Sequence, residues 1–197
     1  HPHHPIASLP SYHNQDMVEC PHMGTLADTR DWFPILSALL QAKTLRQFDE
    51  RLQQELSRRL GCDVIGLYLY SEAAGAFSPV SESLRDPASP AYPIAQLPAA
   101  GTIKEAAVHA GQAILTGDLS ASPWTEAHAL APRICRSTSV LAAPITMPFD
   151  PVTGATAKTL AVITAVAPGA PEAFSDEDRI FLDLLSRHIA PVLTAVL

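Results

Sequence analysis

The sequence predicts an α+β protein with a central antiparallel sheet, and three observations lead to this fold class. Residues 139–145 and 159–166 are short, rich in aliphatic and β-branched side chains and bounded by Pro and Gly, which is typical of strands inside a sheet. The link between them contains Pro148, Asp150 and Gly154, so the two strands should form a β-hairpin. Apolar residues at helical spacing occur before and after the strands, and 47% of the 197 residues are apolar, enough for a real core.

Two helices are expected before the first strand. From Asp31 the apolar residues recur at helical spacing, with the first set within residues 35–40. Thr44 and Gln47 have the spacing of a capping box, which predicts that a second helix begins there after a break near Lys43. Gly61 stands where a helix C-terminus favours glycine.

Further strands are expected in the first half of the chain. Residues 63–70 alternate so that both faces of the strand should be covered, and residues 76–81 should pair with them as a hairpin. Residues 112–115 form a short candidate strand. Residues 83–100 carry four prolines and are expected to be a long connection, of the kind that often serves as a lid over a functional site.

Three more helical segments follow from local signals. Thr102 and Glu105 predict a capped short helix that ends at Gly111. Residues 122–134 could form one or two helical turns. Ser175 should cap a last helix, whose acidic first turn suits the positive end of the helix dipole.

Composition and charge limit the environment and the partners. The formal charge is −7, with acidic residues spread along the chain, which disfavours a nucleic-acid or anionic-membrane surface. Cys20, Cys62 and Cys135 lie far apart without a C-x-x-C spacing, which fits a reducing cytosol. The most apolar run, residues 180–197, is interrupted by charged residues, so we expect a cytoplasmic protein without a membrane span.

The chain divides into a leader and one domain. Residues 1–30 are rich in Pro and contain five of the eight histidines, and we expect a flexible leader. His13, Cys20 and His22 could hold zinc or copper, but their spacing matches no known finger. Residues 31–197 should form a single domain. Because the chain lacks an initiator Met and stops within a helix at Leu197, we expect that helix to continue into an output domain.

Four segments in order resemble a GAF domain. They are the helix into strand at residues 56–70, the stretch at residues 110–118, the strand at residues 139–145, and the Phe-Ser-Asp-Glu-Asp-Arg sequence at residues 174–179 before an apolar helix. Together they cover the chain from about residue 35 to residue 197 in the order that the family has.

The resemblance implies a GAF/PAS-like architecture and a sensory role. The sheet should have five or six antiparallel strands, with the N- and C-terminal helices on one face and a ligand pocket on the other, enclosed by residues 83–134. GAF domains are usually input modules of signalling proteins. We therefore expect a non-catalytic domain that binds a small molecule and signals through its terminal helices to the output domain of a transcription regulator or sensor kinase. A homodimer through residues 35–60 and 180–197 is also expected, because these helices carry more apolar positions than one sheet face can cover.

The candidate ligand-binding residues lie on or beside this implied pocket. They are Tyr68, Tyr92, His109, Asp118, Trp124, His128, Arg133 and Cys135. A polar organic ligand could be held by Arg133 and stacked on Trp124 or Tyr92. His109 or His128 could instead ligate haem or non-haem iron, or be polar groups at the rim, so the cofactor stays open.

Cys135 leaves other functions open. It could sense oxidants or nitric oxide, or be a small buried apolar residue. Bilin attachment is disfavoured, because Arg136 follows where bilin-binding GAF domains commonly have His, and the Asp-Ile-Pro motif is absent. A few GAF proteins reduce free methionine sulfoxide with several cysteines, but only Cys135 is expected near the pocket, without a resolving thiol.

The sequence suggests two further interpretations. Ala106, Ala107, Ala110 and Ala113 could fill the pocket, which would leave a ligand-free dimerisation scaffold. His188 could be a phosphoacceptor, but no acidic residue follows it, and we expect it to be an ordinary residue of the helix face.

Overall fold

The computed structural model describes residues 28–80, 96–124 and 138–197. Within these residues the helices are α1 (Asp28–Leu39), α2 (Leu45–Leu60), α3 (Ile103–Ala110) and α4 (Asp176–Val196), with a single 3-10 turn at Leu119–Ala121. The strands are β1 (Val64–Ser71), β2 (Ala76–Pro79), β3 (Leu97–Pro98), β4 (Ile114–Thr116), β5 (Ser139–Met147) and β6 (Lys158–Ala167). None of the helices in the described ranges is long and apolar enough to cross a membrane.

All six strands belong to one antiparallel sheet, in the order β3-β2-β1-β6-β5-β4. The predicted hairpin is β5 and β6, and β6 also pairs with β1 along six residues. The register of β5 shifts between Ile145 and Thr146, near the turn. The expected α+β fold is therefore confirmed, with the long hairpin and β1 at its centre.

The predicted helix ends form as the local sequence requires. The Thr44 hydroxyl accepts a hydrogen bond from the Gln47 amide at 3.2 Å, and the Gln47 side chain accepts one from the Lys43 amide at 3.0 Å. This reciprocal bond reaches one residue further back than in a standard capping box, in which it would go to Thr44. Gly61 ends α2 with φ 65°, a conformation that costs glycine little.

The sheet separates two apolar cores. The bundle core lies between the sheet and α1, α2 and α4, and includes Leu39, Phe48, Leu52, Ile65, Ile163 and Leu185. The α3 core lies on the opposite face, under α3, and consists of Tyr68, Phe77, Leu97, Ala99, Ile103, Ala107, Leu119, Val140, Ala142, Val162 and Val166. Both faces of β1 are covered, as its sequence predicts, because alternate residues point to opposite cores.

Two local expectations need correction. Residues 83–100 are not only a connection, because Leu97–Pro98 pairs with β2 as an edge strand. A two-residue strand has no sequence period, and only its pairing with β2 reveals it. Residues 122–124 are not helical, and the rest of the predicted turn at 122–134, like the leader up to residue 27, lies outside the described residues.

Candidate functional site

The candidate site is the sheet face under α3. Helix α3 packs on β5 and β6, while β1 and β2 supply the aromatic side chains beside it. Thr102 caps the helix by accepting a hydrogen bond from the Glu105 amide at 3.1 Å, and the Glu105 carboxylate accepts one from the Gly101 amide at 2.8 Å. These bonds fix where α3 begins on the sheet and therefore which side chains it turns inward.

A lysine and two aromatic rings form the most polar part of the α3 core. Lys104, in the first turn of α3, has no exposed surface, and neither do Tyr68 and Phe77. The Lys104 ammonium nitrogen lies 4.5 Å from the centre of the Tyr68 ring and 5.8 Å from that of Phe77. The two rings meet edge to face at 6.5 Å. A cation so close to aromatic faces is attracted by their negative surfaces.

Two other aromatic residues border this group. Tyr70, also on β1, lies 5.1 Å from Phe77 between ring centres. Trp124 is half-buried and packs against the edge of the α3 core. The structure thus brings together Tyr68 and Trp124, two of the residues that the sequence singled out, at one face of the sheet.

His109 and Asp118 are placed differently. His109 is exposed near the C-terminus of α3, which fits the reading of a polar rim group. The Asp118 carboxylate is half-buried and accepts hydrogen bonds from the Ser120 amide and hydroxyl, at 2.9 and 2.7 Å, so it caps the 3-10 turn. Its role in ligand binding stays a prediction.

The remaining candidates lie outside the described residues. Tyr92, His128, Arg133 and Cys135 fall within residues 81–95 and 125–137, and the suggested metal site of His13, Cys20 and His22 falls within the first 27. In the ranges that the structure does describe, no group of three His, Cys, Asp or Glu side chains is arranged to hold a metal ion.

Cys62 belongs to the other face of the sheet. It is 8% exposed and packs in the bundle core, at the junction of α2 and β1. Burial raises the pKa of its thiol to about 11, since the charged thiolate would be poorly solvated there. The sheet separates Cys62 from the α3 core, so it is not placed to act on a ligand bound under α3.

Two hydrogen bonds connect the segment after α3 to the last helix and to the chain that leads into it. The Ala113 amide donates to the Asp183 carboxylate of α4 at 2.7 Å, and the Glu172 amide donates to the Gly117 carbonyl at 2.9 Å. Asp183 is also held by Arg187, one turn later, at 2.9 Å. A movement of α3 and β4 would therefore be transmitted to α4 through these bonds.

The alanines considered as pocket filling divide between the two faces. Ala107 is buried in the α3 core, whereas Ala113 is buried in the bundle core. Ala110 is exposed at the end of α3. These three alanines therefore do not act together to close one pocket.

A family model for the GAF domain matches residues 45–193, which include all six strands of the sheet and most of α4. The chain belongs to the GAF domain family. A search of curated proteins gave no match. Family membership confirms the resemblance drawn from the four sequence segments.

Solved structures share the fold of this GAF domain at low sequence identity. The GAF domain of a phosphoenolpyruvate-protein phosphotransferase from Coxiella burnetii is 15% identical with a TM-score of 0.64, over 85% of this chain and 92% of that one. The GAF domain of an Acinetobacter phosphoenolpyruvate-protein phosphotransferase is 13% identical with a TM-score of 0.63, over 85% and 93%. A free methionine-R-sulfoxide reductase from Neisseria meningitidis, in complex with its substrate, is 16% identical with a TM-score of 0.62, over 82% and 85%.

Lys104 is the functional candidate that the sequence reasoning missed in this GAF domain. One signal was available, because a lysine in the first turn of a helix opposes the helix dipole. In the sequence, however, a lysine between Ile103 and Glu105 resembles an ordinary surface residue. Only the position of α3 on the sheet shows that the side chain turns inward.

Proposed function

We propose that this GAF domain is a non-catalytic sensor that binds a small molecule at the α3 face and signals through its terminal helices. The observation that carries the proposal is the difference between the two faces of the sheet. One face is covered by α1, α2 and α4, whereas the other holds a buried lysine among aromatic rings under a short helix. An ionisable side chain buried beside aromatic rings is often part of a site where a protein recognises a ligand.

The signal would leave the site through α4. The bonds from Ala113 to Asp183 and from Glu172 to Gly117 couple the segment after α3 to this helix and to the chain leading into it. A ligand that favoured one arrangement by about 1 to 3 kcal/mol would be enough to act as a switch. The receiver would be an output domain of a cytoplasmic transcription regulator or sensor kinase.

The first experiment is native mass spectrometry of the purified protein, with an absorption spectrum and metal analysis. We expect the purified protein to retain a bound small molecule. If it does not, a screen of metabolites should find one that raises the melting temperature. The same ligand should slow hydrogen exchange in α4 as well as in α3. If no compound both binds and changes exchange in α4, the domain is a ligand-free scaffold.

An enzymatic alternative follows from the fold neighbours that are free methionine-R-sulfoxide reductases. In that reaction the sulfoxide would be reduced to the thioether while two thiols are oxidised to a disulfide. Within the described residues, the position of Cys62 across the sheet speaks against it. We expect no turnover of free methionine-R-sulfoxide with a dithiol reductant; turnover that is lost in Cys135→Ser would establish the enzyme.

A further inference from the structure

Glu172 has an unusual backbone conformation. Within the described ranges it is the one non-glycine residue with a positive φ, at 54°. It follows Pro171 in the turn between β6 and α4, three residues before the Ser175 cap. A turn that needs a positive φ after proline usually has Gly or Asn there, because a β-carbon makes this conformation unfavourable. The backbone at Glu172 is therefore strained, and neighbouring contacts must hold it.

Gly117, directly after β4, provides these contacts. The Glu172 amide donates a hydrogen bond to the Gly117 carbonyl at 2.9 Å. A β-carbon added at Gly117 would lie 3.0 Å from Cγ of Glu172, which is tighter than an ordinary carbon–carbon contact. Gly117 itself does not have a positive φ. The space that the Glu172 side chain occupies, and not the backbone conformation, therefore explains a glycine at this position.

The contributions to this contact oppose each other. The hydrogen bond favours the observed arrangement, whereas the left-handed conformation of Glu172 disfavours it, and the two effects are similar in size. Glu172 is also exposed, so water can satisfy its amide when the bond to Gly117 breaks. A second arrangement, in which the bond is broken and Glu172 has a negative φ, is thus close in free energy to the observed one.

The contact joins the α3 side of the sheet to the start of α4. Gly117 lies two residues before Leu119, a buried member of the α3 core. Glu172 lies two residues before Phe174, which is buried in the bundle core. When the contact opens, the chain leading into α4 is released from the segment after β4 while both cores stay packed.

We propose that Gly117 and Glu172 form a conformational latch that controls the start of α4. The latch is closed in the arrangement described above, and it is open when the hydrogen bond is broken and Glu172 has relaxed to a negative φ. The route from a ligand to the latch rests on the proposed function, since a ligand that displaces Leu119 would pull Gly117 away from Glu172. The latch itself needs no ligand, so its test uses the ligand-free protein.

The decisive variant is Glu172→Gly, which keeps the amide donor and removes the cost of the left-handed conformation. The measurement is the protection factor of the amide of residue 172 against hydrogen exchange, corrected for the intrinsic rate of each sequence. We expect it to rise by at least about threefold, because the closed latch is favoured. Glu172→Asn keeps a side chain and tolerates the same conformation, so it should change protection in the same direction.

The matched control is Ala173→Gly, at the exposed neighbouring residue, which does not have a positive φ. It adds flexibility without relieving strain, so protection at residue 172 should be unchanged or lower. Equal protection in the wild type, Glu172→Gly and Glu172→Asn overturns the latch. A rise of the same size in Ala173→Gly overturns it as well.

Glu172→Pro should have the opposite effect, because proline has no amide donor and its φ is fixed near −65°. We expect this variant to hold the latch open and to change NMR amide shifts at Leu119 and in the first turn of α4. Changes confined to residues 170–174 would mean that the turn does not control α4, and the latch would be wrong. If this variant fails to fold, the comparison of Glu172→Gly with Ala173→Gly decides.

These outcomes separate the latch from the function proposed for the α3 face. If the protection factors change as expected but no ligand is found, the latch is retained and the sensor is rejected. If a screened ligand binds and alters exchange in α4, but Glu172→Gly is protected like the wild type, the sensor is retained and the latch is rejected.

Discussion

Burial has opposite chemical consequences at Cys62 and Lys104. Cys62 packs in the bundle core, where its thiol can remain neutral and behave as a small apolar group. Lys104 keeps its amine beside two aromatic rings, in a setting that attracts cations. The first side chain is thereby made inert, whereas the second keeps its amine at a fixed position in the α3 core.

The raised pKa of Cys62 predicts slow reaction with thiol reagents. At about pH 8, Cys62 in a Cys20→Ser/Cys135→Ser background should react with iodoacetamide at least about a hundredfold more slowly than the same protein in denaturant, because two pKa units remove that fraction of thiolate. The native rate should keep rising toward pH 11, whereas an ordinary thiol levels off earlier.

The raised pKa of Cys62 also makes the stability of the fold depend on pH. In the unfolded chain the thiol ionises first, so stability contributed by the neutral thiol is present at lower pH and is lost as pH rises toward the folded pKa of about 11.

The labelling experiment can also contradict this assignment. If native Cys62 reacts with iodoacetamide at about pH 8 within tenfold of the rate in denaturant, it is not a buried structural residue.

At the scale of single elements, two features of α4 can be tested separately: its N-terminal cap and its hydrogen bond to Ala113, just before β4. Ser175 caps α4 in a complete capping box, with Asp178 donating its amide to the Ser175 hydroxyl at 3.2 Å and accepting from the Ser175 amide at 2.9 Å. Three acidic residues in the first turn add a favourable interaction with the dipole. The helix therefore begins at a well-defined residue.

Removing this cap should destabilise the domain. Ser175→Ala is expected to lower the free energy of unfolding by about 1 kcal/mol, measured by urea denaturation, because the Asp178 amide loses its acceptor. The control is Ser37→Ala, at an exposed position inside α1, which should change stability by less than about 0.5 kcal/mol. Equal effects of the two substitutions would show that the cap contributes nothing.

The hydrogen bond from Ala113, just before β4, to Asp183 of α4 should control the opening of the turn at Ala113. Asp183→Ala removes the acceptor of the Ala113 amide, so hydrogen exchange at that amide should accelerate by about tenfold for a loss near 1.4 kcal/mol. Arg187→Ala is the matched control, since it removes the ion pair of Asp183 but leaves the acceptor in place. If exchange at the Ala113 amide accelerates equally in both variants, the ion pair of Asp183 with Arg187, and not this hydrogen bond, holds the turn.

At the scale of the whole molecule, α1 and α4 are the helices of the described residues that carry exposed large apolar side chains. Ile180 and Leu184 lie one turn apart on α4 and are 46% and 38% exposed, while Phe33 of α1 is 64% exposed. Helices α1 and α4 pack together, with Trp32 stacked on His188 at 4.7 Å between ring centres. We propose this surface as the homodimer contact.

The dimer can be tested by sedimentation. The wild type should sediment as a dimer at high concentration, and Ile180→Glu with Leu184→Glu should shift it toward monomer, because two charges would be buried in an apolar contact. Val152→Glu, in the turn between β5 and β6 where the side chain is 91% exposed, is the control and should leave the dimer intact. A wild type that stays monomeric at every concentration contradicts the proposal.

Much of the fold follows from local sequence, because the signals involved act over a few residues. Thr44, Thr102 and Ser175 cap the helices as their spacing predicts, and Gly61 and Gly111 end two of them in the left-handed region. The hairpin of β5 and β6 follows from two apolar runs and the turn residues between them. The two-residue strand at Leu97–Pro98 could not be predicted, since its only signal is its partner strand.

The candidate site depends on the tertiary structure to a greater degree. Sequence by itself determined the order of the helices and of the strands other than β3, the family, and the candidates Tyr68 and Trp124, because each of these depends on short-range patterns. Only the packed structure decided that Lys104 turns inward between Tyr68 and Phe77 and that Cys62 lies across the sheet from them. The physical reason is that burial and charge environment arise from contacts between segments distant in the chain, such as α3 with β1, which no local pattern encodes.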